Sequence, residues 1–328
     1  MNEEREKIRE ILLKCYGVDI AEANCHFSTQ NYAYIFPNHP YMIRVSKMPK
    51  KTRKEILSEL MWVDDLKQFK QTICEPSVSL NGKILEEFEI DGVTYRASMF
   101  RTARGNVQAS TEMTPMFFIC VGELLGIIHH VSTDERENGM NFQRKAMKDV
   151  FALQKEKVWE KLDSKLQEKI TSIEKEVNAL PQSLGMYGLC HGDFQANNFF
   201  VEANNVWLFD FDGCCYANYL YDVASFMTSC FLGGFGGGRD CRNVIEEILH
   251  YFKIGYELNH KCTEEYWEQL PLFFSYRAAY TALMLAEIDT CGVVSSLDEI
   301  KEFFSFILLQ DDIYDGITNA ISGGKNRL

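Results

Sequence analysis

Asp193, Asn198 and Asp210 are the residues of this chain whose types and spacing could do chemistry. They lie in Cys190-His191-Gly192-Asp193-Phe194-Gln195-Ala196-Asn197-Asn198 and in Leu208-Phe209-Asp210-Phe211-Asp212. Between the motifs, the apolar runs Phe199-Phe200-Val201 and Val206-Trp207-Leu208-Phe209 flank the turn-like Glu202-Ala203-Asn204-Asn205, which reads as a short β-hairpin. A hairpin folds back on itself, so Asn198 before it and Asp210 after it are expected together, with Asp193 on the loop leading in. An acid free to accept a proton, beside an Asn/Asp pair able to hold a hard cation, is the minimal equipment for phosphoryl transfer. The cation neutralises phosphate charge, while the free acid orients and deprotonates the attacking hydroxyl. Asp and Asn are also ordinary turn residues. Two coupled motifs at strand ends are far harder to reach by chance than one.

The elements that must carry these groups are readable from periodicity. Ile8, Ile11, Leu12 and Cys15 recur at helical spacing over Glu4 to Tyr16. Tyr32 to Phe36 and Tyr41 to Val45 flank a Pro/Asn turn and predict a hairpin. Arg44 is the one charge in the second run, so its side chain must reach a polar partner or solvent. A helix is expected from about Thr52 to Phe69, with Glu59 in its apolar stretch. A second hairpin, Lys83 to Phe88 and Thr94 to Phe100 around Asp91-Gly92, completes a small antiparallel sheet. Beyond it the chain reads as helical apart from the hairpin between the motifs. Phe117 to His130 and Trp159 to Leu180 carry apolar stripes, the latter too short for a confident coiled coil. His129 and His130 are neighbours, point different ways on a helix, and make a poor metal pair.

His-Gly-Asp-x-x-x-x-Asn followed by apolar-Asp-Phe-Asp resembles the aminoglycoside phosphotransferase and choline kinase family of small-molecule kinases. Asp210-Phe211-Asp212-Gly213-Cys214-Cys215-Tyr216, leading to Tyr221-Asp222-Val223-Ala224, looks most like its homoserine-kinase-like and stress-response Ser/Thr-kinase-like branch. The resemblance covers nearly the whole chain and is strongest from Cys190 to Ala224. It implies an α+β, two-lobed kinase-like fold: residues 1–101 as a nucleotide-binding lobe, and 102–328 as a mostly helical lobe with the acceptor site. It implies ATP and Mg²⁺ as cofactors, Asp193 as catalytic base, and Asn198 and Asp210 as metal ligands. Arg44 falls where the family's strand-borne cation meets the nucleotide phosphates, and Glu59 where its helix partner stands. No Gly-rich phosphate loop precedes them; Ser28 and Thr29 occupy the place of the family's nucleotide-positioning loop. Met99-Phe100-Arg101, opening the stretch to Gly105, resembles the hinge whose backbone meets adenine. Asp222 would cap its helix or brace the catalytic loop. Gln195 stands where many members have His, so it and Asp212 are the acceptor-side candidates, Asp212 serving either the metal or a cationic acceptor.

Composition narrows the class. A formal charge of −13 disfavours a general nucleic-acid surface and suits a small hydroxylated, cationic acceptor. Met1 to Glu10 are too charged for a signal peptide. No uninterrupted apolar run reaches the roughly 18 residues of a membrane span; Phe117 to Ile128, broken by Glu123, reads as a core helix. Eleven cysteines without a Cys-x-x-Cys pair argue for reduced thiols in a cytoplasm. Gly233 to Gly238 follows a helix rather than a strand, so it fails as a dinucleotide loop and reads as a connection between helices. There is no Gly-x-Ser-x-Gly elbow and no His-Glu-x-x-His helix. The expectation is an ATP-dependent O-phosphotransferase acting on an amino alcohol, aminoglycoside or amino acid. A protein Ser/Thr kinase, disfavoured by the absent Ala-Pro-Glu segment, and a silent scaffold, disfavoured by the intact acid set, are the alternatives.

Overall fold

The computed structural model describes residues 3–27, 31–48, 50–107, 113–232 and 241–289. Two compact units emerge: Met1–Gly105 with Trp207–Asp212, and Asn106–Val206 with Gly213–Leu328.

The first unit is a six-stranded antiparallel sheet with two helices. Its strands are β1 (Asn24–Phe27), β2 (Asn31–Ile35), β3 (Tyr41–Lys47), β4 (Pro76–Ser77), β5 (Glu86–Ile90) and β6 (Val93–Arg101). The order is β1-β2-β3-β6-β4, with β5 also on β6. Asp91 and Gly92 both adopt positive φ in the β5–β6 connection, the requirement of a tight two-residue hairpin. Strand alternation divides the labour of β3. Ile43 and Val45 are fully buried against Ile8 and Leu12 of α1 (Glu3–Tyr16), Tyr95 and Ala97. Arg44 points the other way, toward α2 (Arg53–Leu66), which packs Ile56 and Leu60 with Leu85 and Phe100. Thr52 and Glu55 form a reciprocal capping box at the start of α2, which fixes that boundary.

The second unit carries α3 (Pro115–Glu137), α4 (Met147–Val158), α5 (Ser164–Ala179), α6 (Leu220–Leu232), α7 (Cys241–Tyr256), α8 (Glu264–Trp267) and α9 (Leu270–Asp289). Its strands are β7 (Tyr187–Cys190) and β10 (Cys215–Asn218), paired antiparallel, then β8 (Phe199–Glu202), with which β9 (Asn205–Leu208) forms the expected hairpin. Ala203 and Asn204 take positive φ in its turn. Among the described residues α3 is the one helix long and apolar enough to cross a membrane, yet 61% of that stretch is buried. Its Gly122 and Gly126 let α7 approach backbone to backbone: a Cβ at Gly122 would sit 2.1 Å from Phe252 O. The stripe is therefore a core-packing face.

Two expectations change. The helix expected from Trp159 begins at Ser164, because the Asp163 carboxylate accepts the Lys165 and Leu166 amides and caps it there. Trp159–Lys161 is a separate 3₁₀ turn. The helix expected over Phe117 to His130 starts at Pro115, capped by Thr114, and runs to Glu137. The Gly233 to Gly238 connection lies outside the described residues.

Candidate active site

In the second unit, β7 delivers the chain into His191-Gly192-Asp193. Gly192 has φ 80°, and a Cβ there would lie 2.1 Å from Gly213 O, so only glycine fits. The fully buried Asp222 carboxylate, in the first turn of α6, accepts the His191 amide at 2.7 Å and the Gly192 amide at 2.9 Å. Asp222 thus braces the loop. Its Oδ2 is also 3.4 Å from Nε2 of buried His129, whose Nδ1 meets the Tyr256 hydroxyl at 2.7 Å. Burial lowers the His129 pKa, against the pull of Asp222, so the ring is neutral. Cys190 lies beside this pair, but burial pushes its thiol far above the thiolate range and Asp222 is already engaged by backbone amides. The trio is a structural brace rather than a metal centre. His130, by contrast, faces solvent beside Asp134.

Asp193 is held at both oxygens. Oδ2 accepts from Gln195 Nε2 at 2.8 Å and Asn198 Nδ2 at 3.1 Å; Oδ1 accepts from Arg277 Nη2 on α9 at 2.8 Å. Asn198 Nδ2 also donates to Asp193 O at 2.8 Å. With the amide nitrogen so used, Asn198 Oδ1 has no partner among the described residues, which suits a hard-cation ligand. Asp193, Gln195 and Asn198 therefore come together as one cluster.

In the first unit, Arg44 Nη2 meets Glu59 Oε1 at 2.8 Å, and Nη1 stands 3.8 Å from Asp212 Oδ1. Its guanidinium lies 4.9 Å from the Phe100 ring centre. Burial opposes the Arg44 charge, but Glu59, Asp212 and Asp210 outweigh it and raise the pKa. Glu59 is inside the protein rather than on a solvated helix face. Lys51 Nζ joins the cluster 2.7 Å from Asp212 Oδ2 and also donates to Asp212 O. Asp212 therefore faces two cations. Asp210 is exposed and takes φ 64°, a left-handed conformation. Phe211 between them packs edge-on to Trp62, ring centres 5.6 Å apart.

Ser28 and Thr29 lie outside the described residues. Met99 and Phe100 pair with both β3 and β4, while Arg101, the last residue of β6, pairs with Tyr41 of β3. The Arg101 amide donates to Glu75 O and the Thr102 amide to Pro40 O, both at 2.9 Å. Those two amides are committed to the fold. Lys51 and Arg277 were not anticipated as site residues. Neither belongs to a local motif, and each finds its partner across a long stretch of chain.

The fold is the kinase-like α+β fold expected. An amicoumacin kinase structure, described as a complex with AMP-PNP, Ca²⁺ and Ami, superposes with a TM-score of 0.80 at 18% identity, covering 94% of this chain and 96% of that one. A choline kinase from Cryptosporidium parvum Iowa II gives 0.65 at 13% identity, over 95% and 97%. In sequence, amicoumacin kinase of Bacillus subtilis (strain 168) is 22% identical over 244 residues, 74% of this chain and 73% of that protein. Residues 27–264 match the phosphotransferase enzyme family, and the chain belongs to it.

Proposed function

We propose that this phosphotransferase transfers the γ-phosphoryl group of ATP to a hydroxyl of a small molecule, with Asp193 as the base and a divalent cation held by Asn198 and Asp210. The observation that carries the reading is the Asp193 loop, fixed through its backbone by Asp222 and bonded at both carboxylate oxygens. The acceptor O–H donates to Asp193, its oxygen forms a bond to the γ-phosphorus, the bond to the ADP oxygen breaks, and the proton passes to Asp193. Mg²⁺, when bound, would neutralise the phosphate oxygens. Hard oxygen ligands fit it: Asn198 Oδ1 and the Asp210 carboxylate. Arg44, kept charged by Glu59, is the phosphate contact, and the answered charge of Asp212 favours the nucleotide and metal side over an amine acceptor. The adenine contact is then expected from Ala103 to Gly105, just past the committed amides.

The net charge favours an acceptor bearing an amine, and similar structures include a microcompartment-associated aminopropanol kinase and a spectinomycin phosphotransferase. ADP release across a panel of hydroxylated amines, with and without Mg²⁺, tests the reading. Asp193→Asn should lower turnover by about 10²- to 10⁴-fold with nucleotide affinity nearly unchanged. Wild-type turnover in that variant would remove Asp193 from the base position.

A further inference from the structure

Arg277 occupies a position at the site that the phosphotransferase reading leaves without a task. Its side chain is 11% exposed. Nη2 donates to Asp193 Oδ1; Nη1 donates to the Tyr221 hydroxyl at 3.1 Å and stands 3.5 Å from Gly192 O. The rings of Tyr221 and Tyr280 flank the guanidinium, 5.7 and 6.0 Å from their centres. Burial opposes its charge, and Tyr221 and Asp193 more than restore it. This is a cation locked against the base by a second helix.

The consequence follows from counting donors and lone pairs. Each carboxylate oxygen accepts two hydrogen bonds. Asp193 Oδ2 already takes two, from Gln195 and Asn198, whereas Oδ1 takes one, from Arg277. The open position on Oδ1 is therefore where an acceptor hydroxyl can donate. A hydroxyl bound there lies beside the guanidinium, whose Nε–H has no hydrogen-bond partner among the described residues. An oxygen on the carbon next to that hydroxyl can accept from Arg277; an ammonium on the same carbon meets a like charge.

Resting on the phosphotransferase reading, we infer that Arg277 is the positioning residue of Asp193 and selects acceptors carrying a carbonyl, carboxamide or carboxylate oxygen beside the reacting hydroxyl. An amine on the acceptor belongs further from that hydroxyl.

The test uses the full chain with MgATP and two matched sets of secondary alcohols: α-hydroxy amides such as lactamide, and vicinal amino alcohols such as 1-amino-2-propanol. Wild-type kcat/KM should favour the hydroxy amides by about tenfold or more, the size of one charge-assisted hydrogen bond. Arg277→Ala should erase that preference and lower kcat, with the KM for ATP unchanged. Millimolar guanidinium should restore part of the loss, and Arg277→Lys should retain part of it. A merely structural arginine would lower both sets equally, so a preserved preference in Arg277→Ala or Arg277→Gln overturns the inference. A wild type that prefers the amino alcohols, or turns over neither set, overturns it also. Acceptor-free ATP hydrolysis separates the two readings. Hydrolysis slowed by Asp193→Asn but untouched by Arg277→Ala refutes only the role of Arg277; hydrolysis untouched by Asp193→Asn refutes the assignment of the base beneath it.

Discussion

Replacing Asp222 by alanine should dismantle the loop that presents Asp193. The buried carboxylate takes the amides of His191 and Gly192 at 2.7 and 2.9 Å. Hydrogen bonds to a charged group contribute about 1.5–3 kcal/mol each, so the pair represents roughly 3–6 kcal/mol. No other described group stands ready to accept these amides, and water has no access to a carboxylate with no exposed surface. In a domain of this size each kcal/mol corresponds to about 2–4 °C, so Tm should fall by roughly 6–24 °C. Asp222→Asn keeps one carbonyl oxygen and should lose about half as much. Turnover should drop further than the folded fraction does, because a misplacement of about 1 Å near a reacting group costs on the order of 10²-fold. Calorimetry with ADP release, measured at a temperature where the variant is folded, separates the two effects. An alanine variant that melts within about 2 °C of wild type would falsify the bracing argument.

Three further outcomes are expected. Glu59→Ala leaves the Arg44 guanidinium with more distant carboxylates alone, and should cost about 3 kcal/mol, the low end for a broken buried pair; urea unfolding reads it, and a loss below about 1 kcal/mol would count against the pairing. Burial above all brings His260 down to about 4, so below pH 6.5 the unfolded chain binds a proton that the native state refuses. Stability should therefore fall from pH 6.5 to about 4, by on the order of 3 kcal/mol, and His260→Gln should flatten that slope in urea titrations. Asp210→Ala should abolish the Mg²⁺ dependence of thermal stabilisation by ATP, and a wild-type Mg²⁺-dependent shift in the variant would show that the ligand lies elsewhere.

What the sequence made legible was local. The β8–β9 hairpin announces itself by two apolar runs around an Asn-containing turn, and α2 by its Thr52/Glu55 box. Asp222 was readable to within two structural roles, and geometry chose the brace. The short strands β7 and β10 were hidden, because four residues containing Gly188 or two polar ends carry no alternation to detect. The partners of Lys51 and Arg277 were beyond any periodicity argument, lying 161 and 84 residues away. Trp207–Asp212 grouping with the first unit was equally invisible, since it depends on Trp62 meeting Phe211 and on Cys74 donating to Leu208 O.

The left-handed backbone of Asp210 sets stability and activity at odds. An Asp at φ 64° is about 1–2 kcal/mol worse off than a glycine, which adopts that region freely. On the reading that Asp210 holds the metal, selection for a sturdier chain alone would drift toward glycine at position 210, raising the melting point at the expense of phosphoryl transfer. An acid at a backbone position that favours glycine fits a residue used for its carboxylate. Stabilised variants recovered from an unselected library should accordingly be enriched in Asp210→Gly, and those that carry it should be inactive.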